Sequence, residues 1–221
     1  VRIKHGGIIN NKQMVDADTK KDVTKNVKAM FMHKIGGLLV NTADSIIISA
    51  FIGVVILGKY SNYTTIVISM SGVLALCFSP LTSIIGHMAA SEGENEVKRY
   101  HNFFHAFNFI LGVVFFLGYY AVIDNMVTLF FGADLEMAKS ISFVITLNYF
   151  IQFMRSATML FRDATGTFYN DRWKPLAEGA LNIALSVLLV LVLPEQYNVA
   201  GVIAATIITN IFICHIVEPH V

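Results

Sequence analysis

Polar side chains that bind charged or hydroxylated groups stand inside otherwise apolar stretches of the chain. Asn148, Gln152 and Arg155 are separated by four and three residues, so on a helix they share one face. An arginine stays charged, and its guanidinium fork binds phosphate through two hydrogen bonds. The stripe therefore predicts an anion-binding surface that faces a cavity. The alternative is an arginine whose side chain extends to a membrane interface.

Two other apolar stretches carry polar groups at helical spacing. Asn41 and Asp44 lie in one of them, and Glu178 and Asn182 are four residues apart in the other. Polar groups are costly in lipid, so Asp44 must face a water-filled cavity, pair with a cation or be protonated. Asp44 is interpreted as a substrate or cation site, and its alternative is a structural pair or an interfacial carboxylate. Glu178 and Asn182 are further candidates for a cavity wall.

The elements that position these residues are long apolar segments. Hydrophobic residues make up 55% of the 221 residues and charged residues 14%, against about 25% in soluble domains. A membrane-crossing helix needs about 20 apolar residues, and the segments are apolar on all sides, unlike the alternating strands of a barrel. The predicted class is an all-α integral membrane protein. Its candidate spans are 35–57, 63–89, 103–123, 141–161, 175–193 and 199–217, with a kink expected at Pro80.

The basic residues fall mainly on one side of these spans. All of the 16 lysines and arginines except Lys59 and Lys139 lie in the leader up to Lys34, at Lys98 and Arg99, or in residues 155–174. The positive-inside rule places those three regions in the cytoplasm. The turns near Lys59, 124–139 and 194–198 then face outward, and both ends of the chain are cytoplasmic.

The domain organisation follows from the same boundaries. Residues 1–26 are expected to form a polar cytoplasmic loop, and residues 27–221 a lobe of about six transmembrane helices. The lysine-rich end of the loop allows two interpretations. It either obeys the positive-inside rule alone or runs helically into the first span and attracts anionic headgroups. The chain begins with Val1 and ends on an apolar segment without a polar tail, so a piece of a longer protein is expected.

Motifs of enzymes are missing from the sequence. It contains no Gly-x-Ser-x-Gly, no phosphate-cradling glycine-rich loop and no His-Glu-x-x-His. The expectation is a protein without catalytic residues, metal ligands or nucleic-acid binding.

Several short stretches carry a resemblance when they are taken in order. They are 26–37 (NVKAMFMHKIGG), 41–49 (NTADSIIIS), 58–63 (GKYSNY), 161–166 (FRDATG), 171–175 (DRWKP) and 217–219 (VEP). Together they resemble the oligosaccharide flippases of bacterial polysaccharide synthesis, the Wzx-type branch of the multidrug/oligosaccharidyl-lipid/polysaccharide exporter superfamily. The resemblance runs from about Lys20 to Val221.

The resemblance implies one lobe of a MATE-like two-lobe transporter, the second lobe of the intact protein. The implied substrate is an undecaprenyl-pyrophosphate-linked oligosaccharide repeat unit, moved across the bacterial cytoplasmic membrane. Membrane lipids, a polysaccharide polymerase and glycosyltransferases are the implied partners. No cofactor is implied, and coupling to a proton or sodium gradient stays open.

The resemblance also suggests roles for individual residues. Arg155 is the candidate cationic residue that meets the phosphates or sugar acids of the substrate. Asp44 is a candidate for cation coupling or for pairing with Arg155. Arg162, Asp163 and Arg172 are interpreted as a cytoplasmic gate or structural corner.

Two alternatives to a flippase stay open. A multidrug or cation antiporter of the related branch would have a cavity rich in acidic groups. A non-transporting scaffold for glycosyltransferases would turn its polar stripes toward protein partners.

Overall fold

The computed structural model describes residues 16–78, 80–165, 169 and 172–217. Regular structure within these residues is helical throughout, which confirms the predicted all-α class for this part of the chain. Residues 1–15 of the predicted loop, and Gly166, Asp171, Glu218 and Pro219 of the quoted stretches, lie outside the described residues. The helices are α1 (Ala17–Ile47), α2 (Val54–Phe78), α3 (Leu81–Ser91), α4 (Glu94–Phe131), α5 (Lys139–Met154), α6 (Ser156–Thr165), α7 (Lys174–Val192) and α8 (Asn198–Thr209).

Helices α1 and α8 both continue as π-helical turns, over Ile48–Ile52 and Asn210–Val217 respectively. Such turns are often found at functional sites. Asp44 lies one turn before the first of them, and Asn210 begins the second. The first π-helical segment ends at Gly53, whose φ of 124° is accessible to glycine at little cost.

Four helical stretches of the described chain are long and apolar enough to cross a membrane. They are Ala17–Ile52, Asn95–Phe131, Lys174–Val192 and Glu195–Ile213.

Three of the predicted spans are interrupted, and the first of them is span 35–57, which is divided at Gly53. Segments Val54–Leu76 and Leu81–Ser91 meet at an angle of 46° and together would form a fifth span. This bend lies where Pro80, which has no backbone N–H, precedes α3. The predicted span 141–161 falls on α5 and α6, which are separated at Arg155. All six predicted spans therefore fall largely on helix, and their number remains a prediction.

The first helix begins earlier than the polarity of the sequence suggests. It starts at Ala17, so residues 17–26 extend α1 and do not form a loop. No glycine or proline occurs between Ala17 and Ile35 to interrupt it. The expected boundary at residue 26 therefore marks a change from polar to apolar sequence within one helix.

Close packing holds α1 against α7. A Cβ added to Gly36 would lie 2.4 Å from Pro175 Cβ, so the two backbones approach more closely than any other residue would allow. Pro175 occupies the first turn of α7, where its missing N–H has no helical partner to lose. Helix α7 packs in turn on α8, and α8 on α5. These four helices surround the polar residues predicted from the sequence.

The distribution of polarity differs from that in a soluble protein at the surface and among the buried groups. Large apolar side chains cover the surface, with Leu129 78%, Leu76 72% and Leu191 71% exposed. Charged and amide side chains such as Asp44 and Glu178 are instead buried between helices. This arrangement is the one expected when the surroundings are apolar, because lipid penalises exposed polar groups.

Hydrogen bonds join the first half of α2 to the end of α4 and to the segment between α4 and α5. Lys59 Nζ donates to the carbonyl oxygen of Asp134 at 2.7 Å, and Tyr63 Oη donates to Asp124 Oδ1 at 3.1 Å. Lys139 Nζ lies 2.6 Å from Asp124 Oδ2, and this hydrogen bond raises the pKa of Lys139. The region near Lys59 and the region 124–139 were predicted to face the same side of the membrane, and these contacts bring them together.

Candidate functional site

Six of the seven candidate cavity residues line one cleft, whose walls come from α1, α2, α5 and α6, with smaller contributions from α3, α7 and α8. The cleft has two parts, which we call the Asp44 cavity, of about 800 Å³, and the Arg155 cavity, of about 520 Å³. Asn41 and Gln152 line both parts, so the two parts adjoin each other. The candidates on the Asp44 cavity are Asn41, Asp44, Asn148 and Gln152; those on the Arg155 cavity are Asn41, Gln152, Arg155 and Glu178.

The Asp44 cavity combines aromatic walls with carboxylates. Tyr60, Phe78, Tyr149 and Phe153 are among its lining residues. The charged residues among the described lining are Asp44 and Asp163. Its amide groups come from Asn41, Asn148 and Gln152, and Gln152 Nε2 donates to Asn148 Oδ1 at 3.2 Å. The cavity can therefore hold a group that is partly apolar and partly hydrogen bonding.

The Arg155 cavity is richer in basic groups. Lys34, Arg155 and Arg162 line it together with Asp163 and Glu178. The formal charge of these side chains is positive, because three cations face two anions. An anionic ligand is therefore favoured in this part of the cleft.

Arg155 lies at a break in the helix. It follows the last residue of α5 and precedes the first of α6, and its N–H donates to the carbonyl oxygen of Gln152 in a tighter turn, at 3.2 Å. Such a break frees carbonyl groups that a continuous helix would pair. Asn108 of α4 compensates: its Nδ2 donates to the carbonyl oxygen of Phe153 at 3.0 Å. The packing of α4 on α5 thus stabilises the interruption of the helix.

An ion pair orients the guanidinium group of Arg155. Its Nη1 lies 3.2 Å from Glu178 Oε1 of α7 and donates to Asn210 Oδ1 at 3.3 Å. The Arg155 side chain is 14% exposed and that of Glu178 4%. Of the two roles considered for Asp44, pairing with Arg155 is not observed, because the carboxylate beside Arg155 belongs to Glu178 of α7. Arg155 faces the cleft, as the spacing of the polar stripe predicted.

Asp44 is held by hydroxyl groups. Thr206 Oγ1 of α8 donates to Asp44 Oδ1 at 2.7 Å, and Tyr60 Oη donates to Asp44 Oδ2 at 3.4 Å. Asn182 Nδ2 donates to Thr206 Oγ1 at 2.7 Å. A chain of hydrogen bonds therefore runs from α7 through α8 to the Asp44 carboxylate. It provides oxygen atoms but no positive charge among the hydrogen-bonding partners of Asp44.

Asn182 does not line either cavity. Its side chain is fully buried behind Asp44, because the face of α7 that bears it turns toward α8. The amide supports Thr206 and is in no position to touch a ligand in the cleft. The expectation of a cavity-lining Asn182 is therefore wrong, whereas Glu178, one turn earlier, does reach the Arg155 cavity.

The three gate candidates separate into two places. Arg162 and Asp163 line the Arg155 cavity, and Arg162 Nη2 lies 3.0 Å from Asp163 Oδ1. Arg172 instead donates to the carbonyl oxygen of Tyr169 at 2.9 Å and lines a different cleft, beside α1. A single gate of all three residues is therefore not formed, because Arg172 lies beside the start of α1.

Sequence reasoning missed Tyr60, Asn108 and Thr206. Each is a polar residue in an apolar helix, and each is buried. The same cost of polar groups in lipid that singled out Asp44 also applied to them. Asn108 was the most detectable, since an amide in the middle of an apolar segment needs partners. Tyr60 and Thr206 are common in apolar helices and give a weaker signal.

Comparison of the chain with protein-family models, with curated proteins and with solved structures gave no match. The resemblance to the flippases therefore rests on the quoted stretches of sequence.

Proposed function

We propose that the chain is a transmembrane lobe of a transporter that moves undecaprenyl-pyrophosphate-linked oligosaccharide units across the bacterial cytoplasmic membrane for polysaccharide synthesis. Its apolar surface and the polar groups buried between its helices support insertion in a bilayer. The quoted stretches of sequence support the kind of transporter. In this proposal both ends of the chain are cytoplasmic, and the cleft faces a second lobe.

The observation that carries the proposal is Arg155 at an interrupted helix inside the cleft. Transporters commonly bind substrate where a membrane helix is broken, since freed backbone groups and helix ends then face the ligand. A guanidinium group in such a place suits a pyrophosphate. Lys34 and Arg162 add positive charge along the same cavity.

The geometry suggests how such a ligand would bind. A pyrophosphate oxygen would compete with Glu178 for Arg155, so that binding exchanges an internal ion pair for one with the substrate. The amide groups of Asn41, Asn148 and Gln152 line the adjoining Asp44 cavity and match the hydroxyl groups of sugars. The polyprenyl tail is apolar and would remain against the apolar surface of the bundle.

Asp44 is the proposed site of coupling to a proton or sodium gradient. Its carboxylate lies next to the oxygens of Thr206 and Tyr60. Oxygen ligands of this type bind hard cations, and a carboxylate can also carry a proton. Both forms of coupling use the same residue.

A second candidate function is an antiporter for lipophilic cations. The observation that favours it is the Asp44 cavity, where carboxylates of Asp44 and Asp163 stand among four aromatic side chains. Aromatic faces and carboxylates bind organic cations. The positive charge of the adjoining Arg155 cavity favours the anionic cargo.

The test uses the intact gene in its host. Deletion is expected to abolish surface polysaccharide and to trap the lipid-linked precursor on the inner leaflet, and Arg155→Gln is expected to reproduce the defect at normal protein levels. The matched control is Arg99→Gln, because Arg99 is exposed and pairs with Glu96 outside the cleft. Normal polymer together with sensitivity to cationic drugs would support the antiporter and contradict the flippase.

A further inference from the structure

We infer that a basic cleft beside the start of α1 binds the phosphate headgroup of an anionic phospholipid. The cleft encloses about 650 Å³ between α1 and the residues that precede α7. It is separate from the Asp44 and Arg155 cavities. Its described lining is Ala17, Lys20, Lys21, Thr24, Lys25, Lys28, Ala29, Met32, Tyr169 and Arg172.

The positive charges of this cleft share one face of a helix. Lys21, Lys25 and Lys28 follow one another at spacings of four and three residues, so they project on the same side of α1. Arg172 faces them from the other wall. No acidic side chain is among the described lining residues, and Asp18 and Asp22 of the same turns are not part of it. The cleft therefore concentrates positive charge from two separate elements.

An aromatic ring connects the two walls. Lys25 Nζ lies 3.7 Å from the ring centroid of Tyr169, and the guanidinium carbon of Arg172 lies 3.8 Å from the same centroid. Cations beside an aromatic ring are stabilised by it, which holds both groups in place before a ligand arrives. Because Lys25 and Arg172 are oriented in this way, a phosphate entering the cleft would meet donors from both walls.

The position of the cleft indicates a lipid as the occupant. Helix α1 runs without interruption from these lysines into the apolar part of the membrane-length stretch Ala17–Ile52. Basic clusters directly next to a membrane helix lie at the level of the lipid headgroups and attract anionic ones. Ala29 and Met32 form the apolar side of the cleft, on the side where the acyl chains would lie. This inference rests on membrane insertion but does not depend on the substrate that is transported.

The single tryptophan of the chain provides a direct measurement. Trp173 is 63% exposed and follows Arg172. We would purify the 221-residue chain in neutral detergent and add phosphatidylglycerol with brominated acyl chains, which quenches a nearby tryptophan. Brominated phosphatidylcholine, whose headgroup has no net charge, tests for contact that does not depend on an anionic lipid. Glycerol phosphate, added as a competitor, tests for a free phosphate ligand.

The expected result is saturable quenching by brominated phosphatidylglycerol, with little quenching by phosphatidylcholine. Replacing both lysines, Lys21→Gln with Lys28→Gln, should weaken the affinity for phosphatidylglycerol about tenfold or more. Each charge at the level of the headgroups contributes on the order of a few-fold in affinity. Both lysines are exposed, so their loss should leave the fold intact, which circular dichroism would verify. The matched control is Lys98→Gln with Arg99→Gln, which removes the same charge from the start of α4.

Three outcomes would overturn the inference. An equal loss of affinity for phosphatidylglycerol in both double variants would show that the lipid is attracted by positive charge in general and not by this cleft. Absence of quenching at high phosphatidylglycerol would show that no lipid binds beside Trp173. Displacement by glycerol phosphate at the same concentration as phosphatidylglycerol would assign the cleft to a soluble phosphate. None of these results depends on transport, so a failure here is distinguishable from a failure of the proposed function.

Discussion

Arg155, at the junction of α5 and α6, and Glu178, in α7, form an ion pair of 3.2 Å at the wall of the cleft. The pair joins the interrupted helix to the helix that packs most closely on α1. It is largely shielded from solvent, yet the guanidinium group still lines the cavity. This relationship links the stability of the bundle to the residue proposed to meet the substrate.

Removing one member of this pair is expected to destabilise the protein. A buried pair that loses one partner costs about 3–5 kcal/mol in free energy of unfolding, and access of Arg155 to the cavity places the loss toward the lower value. Glu178→Gln and Arg155→Gln should therefore each lower the temperature of thermal unfolding in detergent. The double variant should recover part of the loss, since no charge is then left unpaired. A double variant that loses the sum of both single effects would contradict the pairing.

Asp44→Asn is expected to remove the response to an ion gradient while preserving the fold. The substituted amide still accepts a hydrogen bond from Thr206, so the helix contacts remain. It cannot bind a proton as a carboxylate does, and it binds a hard cation more weakly. The measurement is transport by the intact protein in vesicles, with and without an imposed proton or sodium gradient. Asp134→Asn, in an exposed turn, is the control, and an unchanged gradient response in Asp44→Asn would exclude Asp44 as the coupling site.

Asn108→Leu is expected to unfold the junction of α5 and α6. The substitution removes the donor to the carbonyl oxygens of Phe153 and Met154. Leaving a buried acceptor without a partner costs about 1–3 kcal/mol. Faster hydrogen exchange in residues 155–159 would measure the effect. The same substitution at Asn95, which is exposed at the start of α4, should leave exchange at the junction unchanged.

Gly36→Ala is expected to separate α1 from α7. The new Cβ would lie 2.4 Å from Pro175 Cβ and 2.6 Å from its carbonyl carbon, and backbone atoms cannot move aside as a flexible side chain can. Overpacking of this kind costs about 1–3 kcal/mol. Gly37→Ala is a matched control, because nothing lies within 4 Å of the added atom and alanine favours helix. Equal unfolding temperatures for the two variants would contradict the close approach.

The orientation in the membrane is testable by labelling single cysteines. Cys77 and Cys214 would first be replaced by alanine. The variants Lys59→Cys and Asp134→Cys are expected to react with a membrane-impermeant reagent added outside intact cells, because the positive-inside rule places both positions outside and they lie at one end of the bundle. A cysteine at Lys98 should react only after the cells are opened. The reverse pattern would contradict the positive-inside assignment.

The sequence alone determined properties that depend on local spacing and on polarity. The apolar segments predicted helices, Pro80 predicted the bend, and the spacing of Asn148, Gln152 and Arg155 predicted a common face. These inferences succeed because helical periodicity is set by the backbone, whatever lies opposite the helix.

Only the tertiary structure decided which groups meet. Thr206 reaches Asp44 from 162 residues along the chain, Glu178 and not Asp44 pairs with Arg155, and Arg172 lies apart from Arg162. Periodicity gives the face of a helix that bears a residue, but not the helix that packs on that face. That choice depends on contacts such as Gly36 against Pro175, which bring α7 against α1 and so place Glu178 beside Arg155 and Asn182 behind Asp44.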